Sequence, residues 1–173
     1  MKSIKLAILF SLAAGLFFTA PAFAQTQTFK DANVEYAFDL PETTWKQTVK
    51  PSSTSPNVEY VFGDRVNGHL EIRQIAVKSG EIISDTIENE EQKLQFLPGY
   101  VAGKEENFRG SFDGKVFNFE FVRSGRNMSG RFYFLKASGK TVYVLRFTGL
   151  RDKLRSIRNQ TDSIARTFEL VKR

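Results

Sequence analysis

The chain has 173 residues, with 25 Lys and Arg against 19 Asp and Glu, and a formal charge of +6. It has no Cys, which excludes disulfides, thiol catalysis, thiolate metal sites and a lipid anchor on an N-terminal Cys. Its 17 Phe, 5 Tyr and single Trp supply ample core material for one domain, and a modest basic excess favours acidic partners or anionic surfaces without indicating nucleic acid.

The first segment, residues 1–24, has the three parts of an export signal. Lys2 and Lys5 form the basic region, and Leu6 to Phe18 form the apolar run. Ala22-Phe23-Ala24 follows Pro21 and gives the small-x-small pattern of a cleavage site. The alternative is an uncleaved anchor, but the run falls short of the roughly 20 apolar residues that span a bilayer. Cleavage after Ala24 leaves Gln25 as the mature N-terminus and places the protein outside the cytoplasm, in the periplasm or beyond, in a bacterial envelope.

Residues 25–32 are polar and read as a flexible arm. A single domain, 33–173, begins with the apolar run Val34 to Leu40, stopped by Pro41. Residues 50–57 hold two Pro and four Ser or Thr and read as a loop. Val58 to Phe62 and Leu70 to Val77 read as strands, joined by a turn at Asn67-Gly68, a pair that tolerates φ > 0. Residues 81–97 read as a helix with Ile83, Ile87, Leu94 and Leu97 on one face, capped by Ser79 or Ser84 and ended by Pro98-Gly99. Four strand-like runs follow: Tyr100 to Phe112, Lys115 to Arg123, Arg131 to Lys136 and Thr141 to Thr148. The turns between them are expected at Asp113-Gly114, Ser124-Gly125 and Ser138-Gly139. Phe117, Phe119 and Phe121 alternate with polar residues, whereas Tyr143, Leu145 and Phe147 alternate with Val144 and Arg146. The last strand is therefore expected to be central and covered on both sides. A second helix spans Leu150 to Ala165, with Leu150, Leu154, Ile157, Thr161, Ile164 and Phe168 forming its buried stripe. Thr167 to Val171 reads as a final edge strand. The implied class is α+β: a central antiparallel sheet of about 6–7 strands with helices packed on it.

Three segments carry a resemblance. They are Phe38-Asp39-Leu40-Pro41-Glu42-Thr43-Thr44-Trp45, the block Val142 to Gly149, and Ala165-Arg166-Thr167-Phe168 closing the second helix. Together they resemble the PsbP-like domains, named for the extrinsic lumenal protein of photosystem II, across nearly the whole mature chain. The resemblance implies a central antiparallel sheet between helical layers, an α/β/α sandwich. It also implies a binding or assembly factor rather than an enzyme. The chain departs from the plant protein in having no chloroplast transit peptide and only one His, so no metal-linked cluster carries over.

Few residues offer chemistry. His69, the only His, follows the expected Asn67-Gly68 turn, where a polar surface residue is ordinary. Glu88, Glu90 and Glu91 share the first helix without EF-hand spacing and read as a solvated face. Gly125 to Gly130 lacks the Lys-Ser/Thr ending of a phosphate loop and reads as a hairpin. Six Phe on the strands either fill a close-packed core or surround an apolar ligand. Trp45 is either a core or rim anchor or, if exposed, a binding hot spot. The first helix is acidic and the second basic. Arg151, Lys153, Arg155 and Arg158 form a face suited to an acidic protein or an anionic membrane surface. The expected function is thus an exported, non-enzymatic protein that binds or helps assemble a partner in the envelope. A carrier of a small apolar ligand is the alternative, and a hydrolase using a carboxylate pair ranks third. No catalytic, cofactor or metal residues are assigned.

Mass spectrometry of the protein recovered from the envelope should find Gln25 as the first residue; a retained residue 1–24 segment would instead make it an anchor.

Overall fold

The structure is a computed structural model and describes residues 26–171. The export signal and its Ala24–Gln25 junction lie outside the described residues. In chain order the elements are β1 (Gln27–Lys30), β2 (Tyr36–Leu40), β3 (Trp45–Val49), β4 (Val58–Phe62), β5 (Asp64–Ala76), α1 (Ile83–Leu94) and β6 (Val101–Arg109). There follow β7 (Asp113–Arg123), β8 (Arg126–Ser138), β9 (Thr141–Leu150), α2 (Arg151–Ser156), α3 (Arg158–Thr167) and β10 (Glu169–Leu170). Seven strands form one antiparallel sheet in the order β3-β4-β5-β9-β8-β7-β6, and a separate sheet of three runs β1-β2-β10. The α+β class and the antiparallel sheet expected from the alternation are both present.

The two faces of the large sheet bury different clusters. On one face Tyr133, Leu135, Tyr143, Leu145 and Phe147 meet Leu154, Ile157, Ile164 and Phe168 from the C-terminal helices, together with Phe29, Tyr36 and Phe38 of the small sheet. On the other face Phe117, Phe119, Phe121, Phe132, Phe134, Val142 and Val144 pack under Ile87 and Leu94 of α1. β8 and β9 are therefore covered on both sides, as the apolar residues on both faces of β9 require. The Phe rings are fully packed: Phe119 meets Phe132 edge-on at 5.0 Å and lies 5.7–5.9 Å from Phe117 and Phe121. Ser124 and Gly125 both take positive φ and close the β7–β8 hairpin at the expected place.

Several local expectations differ from the structure. Residues 27–30 form β1 rather than a flexible arm, because every residue pairs with β2 and Phe29 is buried among Tyr36, Phe38 and Tyr60. The turn between β4 and β5 is at Gly63, which has φ +71, not at Asn67-Gly68. The Asp64 carboxylate accepts the Val66 and Asn67 backbone N–H groups and replaces the expected Asn-Gly turn. Gly68 is instead a spatial requirement: a Cβ there would lie 3.0 Å from Phe62 Cβ and 3.2 Å from Ile157 Cδ1. Neither Ser79 nor Ser84 caps α1; Glu81 accepts the Lys78 N–H at 2.9 Å just ahead of it. The turn after β6 falls at Gly110 to Phe112, ahead of Asp113-Gly114. The C-terminal helix breaks at Ile157, with φ −102 and ψ 16, and Leu150 belongs to β9. The final edge strand is the short β10, paired to β2 in the small sheet.

Phe168 joins α3 to both sheets, with its ring 5.0 Å from Tyr36 and 5.2 Å from Tyr143. Phe168→Ala should cost about 3–5 kcal/mol of unfolding free energy in urea titration; a loss below about 1 kcal/mol would mean the small sheet is not docked as described.

Candidate functional site: a basic groove beside α2

Leu154 and Ile157 anchor α2 and its C-terminal end in the core. Arg151 and Arg155, one turn apart on α2, and Arg158 at the start of α3 lie around Leu154 on one side. All three line a groove of about 590 Å³ whose floor is formed by Ala102 and Gly103 of β6, Asn118 of β7, and Ser129 and Arg131 of β8. Lys153 points elsewhere; it is exposed and does not line the groove. Trp45 is not a docking residue either, because it is only 1 % exposed. Its ring packs on Phe62 and Phe147, and its indole N–H donates to Gln160 at 2.9 Å. Gln160 in turn donates to Glu42 at 2.8 Å, which ties the Phe38 to Trp45 segment to α3.

The groove's charges are partly neutralised. Arg158 pairs with Glu106 at 3.1 Å and Arg151 with Glu120 at 3.6 Å. Lys104 and Arg155 also line the groove and have no carboxylate within ion-pair distance among the described residues. Arg131 forms the deepest part and is only 7 % exposed. Its guanidinium donates to Tyr133 Oη at 2.7 Å, Asn118 Oδ1 at 2.7 Å and Asp162 Oδ1 at 2.8 Å. Burial disfavours this charge, but Tyr133 and Asp162 outweigh it and hold the Arg131 pKa above its usual value. Burial also pushes the Tyr133 phenol up, so it remains a hydroxyl and donates to Asp162. Thr161, fully buried, lies 2.8 Å from the same hydroxyl. This network fixes the floor and ties β8 to α3.

The remaining candidates are dispersed. His69 is 8 % exposed rather than on the surface, and its Nε2 lies 2.9 Å from Glu59 Oε2. Arg65 pairs with the same carboxylate at 3.2 Å. Beside them Glu71 bridges Arg73 and Arg146 at 2.7 and 3.2 Å, so the half of the sheet that α1 leaves uncovered carries an ion-pair row. Burial holds Arg146 below the usual arginine pKa, and its guanidinium sits 4.7 Å above the Phe132 ring. Of the α1 carboxylates, Glu90 pairs with Lys93, Glu91 accepts the Tyr100 hydroxyl at 2.9 Å, and Glu88 is exposed. Among the described residues no three His, Asp or Glu side chains converge as a metal site requires. A second cleft, of about 610 Å³, lies between the small sheet and β5 and is lined by Tyr36, Gln74 and Tyr143. Its Tyr143 hydroxyl donates to Glu35, while the buried Tyr36 hydroxyl has no partner among the described residues. The Asn118–Arg131–Asp162 network and the His69–Glu59 pair join residues remote in sequence, and no spacing marks them.

No protein-family model and no curated sequence matches the chain. Solved structures do. The Ran-binding protein Mog1p of Saccharomyces cerevisiae superposes with a TM-score of 0.62 at 8 % identity, over 86 % of this chain and 97 % of its own. Cyanobacterial PsbP from Synechocystis superposes with a TM-score of 0.60 at 13 % identity, over 94 % and 98 %. LpqN of Mycobacterium tuberculosis, involved in cell envelope biogenesis, superposes with a TM-score of 0.55 at 16 % identity, over 86 % and 91 %. At these identities the likeness shows the fold alone. The chain has the PsbP-like fold that its sequence motifs resemble.

Asp162→Ala strands the Arg131 charge in the floor and should cost about 3–5 kcal/mol in urea titration. Adding Arg131→Met should restore most of that loss; an unrestored double variant would mean that Asp162 acts through something other than the pair.

Proposed function

We propose that the protein is an exported, non-catalytic binding protein that receives an acidic segment of a protein partner in the groove beside α2 and assists the assembly of an envelope complex. The observation that carries the proposal is the pair of cations, Lys104 on β6 and Arg155 on α2, in one groove with no ion-pair partner among the described residues. Arg131 and Arg158 are already held by carboxylates at 2.8 and 3.1 Å, so the groove is preorganised and still has positive charge to give. Charge complementarity of this kind sets partner choice and association rate. The N-terminal residues 1–24, with their basic, apolar and small-residue parts, support export. Among proteins of the same fold are a Ran-binding protein and a protein involved in cell envelope biogenesis, so the scaffold is compatible with both halves of the proposal. The aromatic side chains that an apolar carrier would use are spent in packing, with Phe117, Phe119 and Phe132 each at most 3 % exposed.

Reversing Arg151 or Arg158 would set new acids beside Glu120 and Glu106, so Lys104→Glu with Arg155→Glu is the cleaner test. Affinity capture of the tagged protein from its native envelope after mild crosslinking, followed by mass spectrometry, should retain a protein partner that the double variant loses by about tenfold or more. Equal retention by the variant would remove the groove from the interface. Retention of a small molecule in place of a protein would favour the carrier.

A further inference from the structure

Phe96 is 89 % exposed, although the turn that carries it, between α1 and β6, is firmly built. The Gln95 N–H donates to Glu91 O at 3.0 Å, Leu97 N–H to Leu94 O at 2.9 Å, and Tyr100 N–H to Leu97 O at 3.1 Å. Leu97 and Tyr100 pack on the core under α1. The molecule gains no burial from a Phe held out in this way. The same turn is tied to the β7–β8 hairpin, because Pro98 O accepts the Val122 N–H at 2.7 Å. Next to Val122 is Arg123, which stands directly opposite Arg126 across Ser124-Gly125. Both are exposed, and neither has an ion-pair partner among the described residues. Like charges directly opposite on paired strands destabilise them. Arg123 lies 5.3 Å from the Phe121 ring.

We infer that this end of the molecule docks on an anionic lipid bilayer, with Phe96 entering the headgroup layer and Arg123 and Arg126 meeting lipid phosphates. An exposed aromatic side chain on a turn tied to an arginine-bearing hairpin is the composition that interfaces favour. A projecting turn and hairpin tip also suit a fluid surface, which needs no complementary pocket. No helix among the described residues is long and apolar enough to cross a membrane. The inference uses none of the groove residues that pair with or await an acidic partner.

The test is the full exported chain carrying Phe96→Trp, titrated at low salt with vesicles of phosphatidylcholine alone and of phosphatidylcholine mixed with phosphatidylglycerol. Trp45 is buried and bonded to Gln160, so a change in emission reports position 96. A blue shift is expected with the phosphatidylglycerol vesicles only, reversed by salt. Adding Arg123→Gln and Arg126→Gln should weaken partitioning by about thirtyfold, about fivefold for each charge. The melting temperature should hold or rise, because the opposed pair is gone, so a loss of binding cannot be assigned to unfolding. No shift on either vesicle, equal shifts on both, or partitioning indifferent to the two arginines overturns the inference. A shift with an acidic protein but not with vesicles overturns it as well.

Discussion

The structure depends on the double-sided burial of β8 and β9. Tyr133, Leu135, Leu145 and Phe147 face one way and Phe132, Phe134, Val142 and Val144 the other, all at most 2 % exposed. A strand apolar on both faces must be sandwiched, since either face left in water forfeits roughly 1.5–3 kcal/mol for each large side chain. The two covers differ in size. The C-terminal helices and the small sheet cover one face broadly, whereas α1 has a single apolar stripe and lies over β7 and β8. The uncovered remainder must be polar, and there the chain places Glu59, His69, Glu71, Arg73 and Arg146 in mutual pairs.

The groove arises from the same constraint. The helix after β9 must lie along the sheet to bury Leu154 and later Ile164 and Phe168, and it breaks at Ile157 so that this side chain settles over Gly68. The break keeps α2 short, and with α3 seated toward the Phe108 and Arg109 end of β6 the Ala102 and Gly103 stretch stays open. The floor there is satisfied by hydrogen bonds rather than by packing: Arg131 contributes charge, while Asn118, Tyr133 and Asp162 hold it. A buried arginine is tolerable because its donors are met, and removing one partner costs more than removing both. β6 is an open edge, yet the register shift between Ala102 and Glu105 and the charges of Lys104, Glu105 and Glu106 discourage another strand from adding to it. The groove is therefore suited to side chains of a partner rather than to its backbone.

The large sheet was legible because the strands alternate cleanly and the short Ser124-Gly125 pair separates two alternating runs. The stripe from Leu154 to Phe168 and the basic residues around it were legible for the same periodic reason. β1 was not: Gln27-Thr28-Phe29-Lys30 has one buried side chain, and its pairing is set by β2 rather than by its own pattern. Gly68 and His69 misled because an Asn-Gly pair is a local turn signal, and the Asp64 carboxylate together with the need to seat Ile157 outweighed it. Trp45 could be read either as anchor or as hot spot, and its burial against Phe62, Phe147 and Gln160, all distant in sequence, decides between them. Arg155 lies in the groove together with Arg151 and Arg158, residues that the helical spacing already groups, but its neighbour Lys104 comes from a strand that shows no basic pattern of its own. Lys153 shares the helix and not the groove, a distinction that charge counting does not make.

The most direct test of the groove is photocrosslinking in the native envelope from a benzophenone side chain placed at Ala102 on its floor, with a control at exposed Lys46 on the far end of the sheet. The account predicts a crosslink from position 102 alone, mapping to an acid-rich segment of one protein and lost when Lys104 and Arg155 are reversed. Crosslinks of equal yield from both positions, or none from position 102, would contradict it.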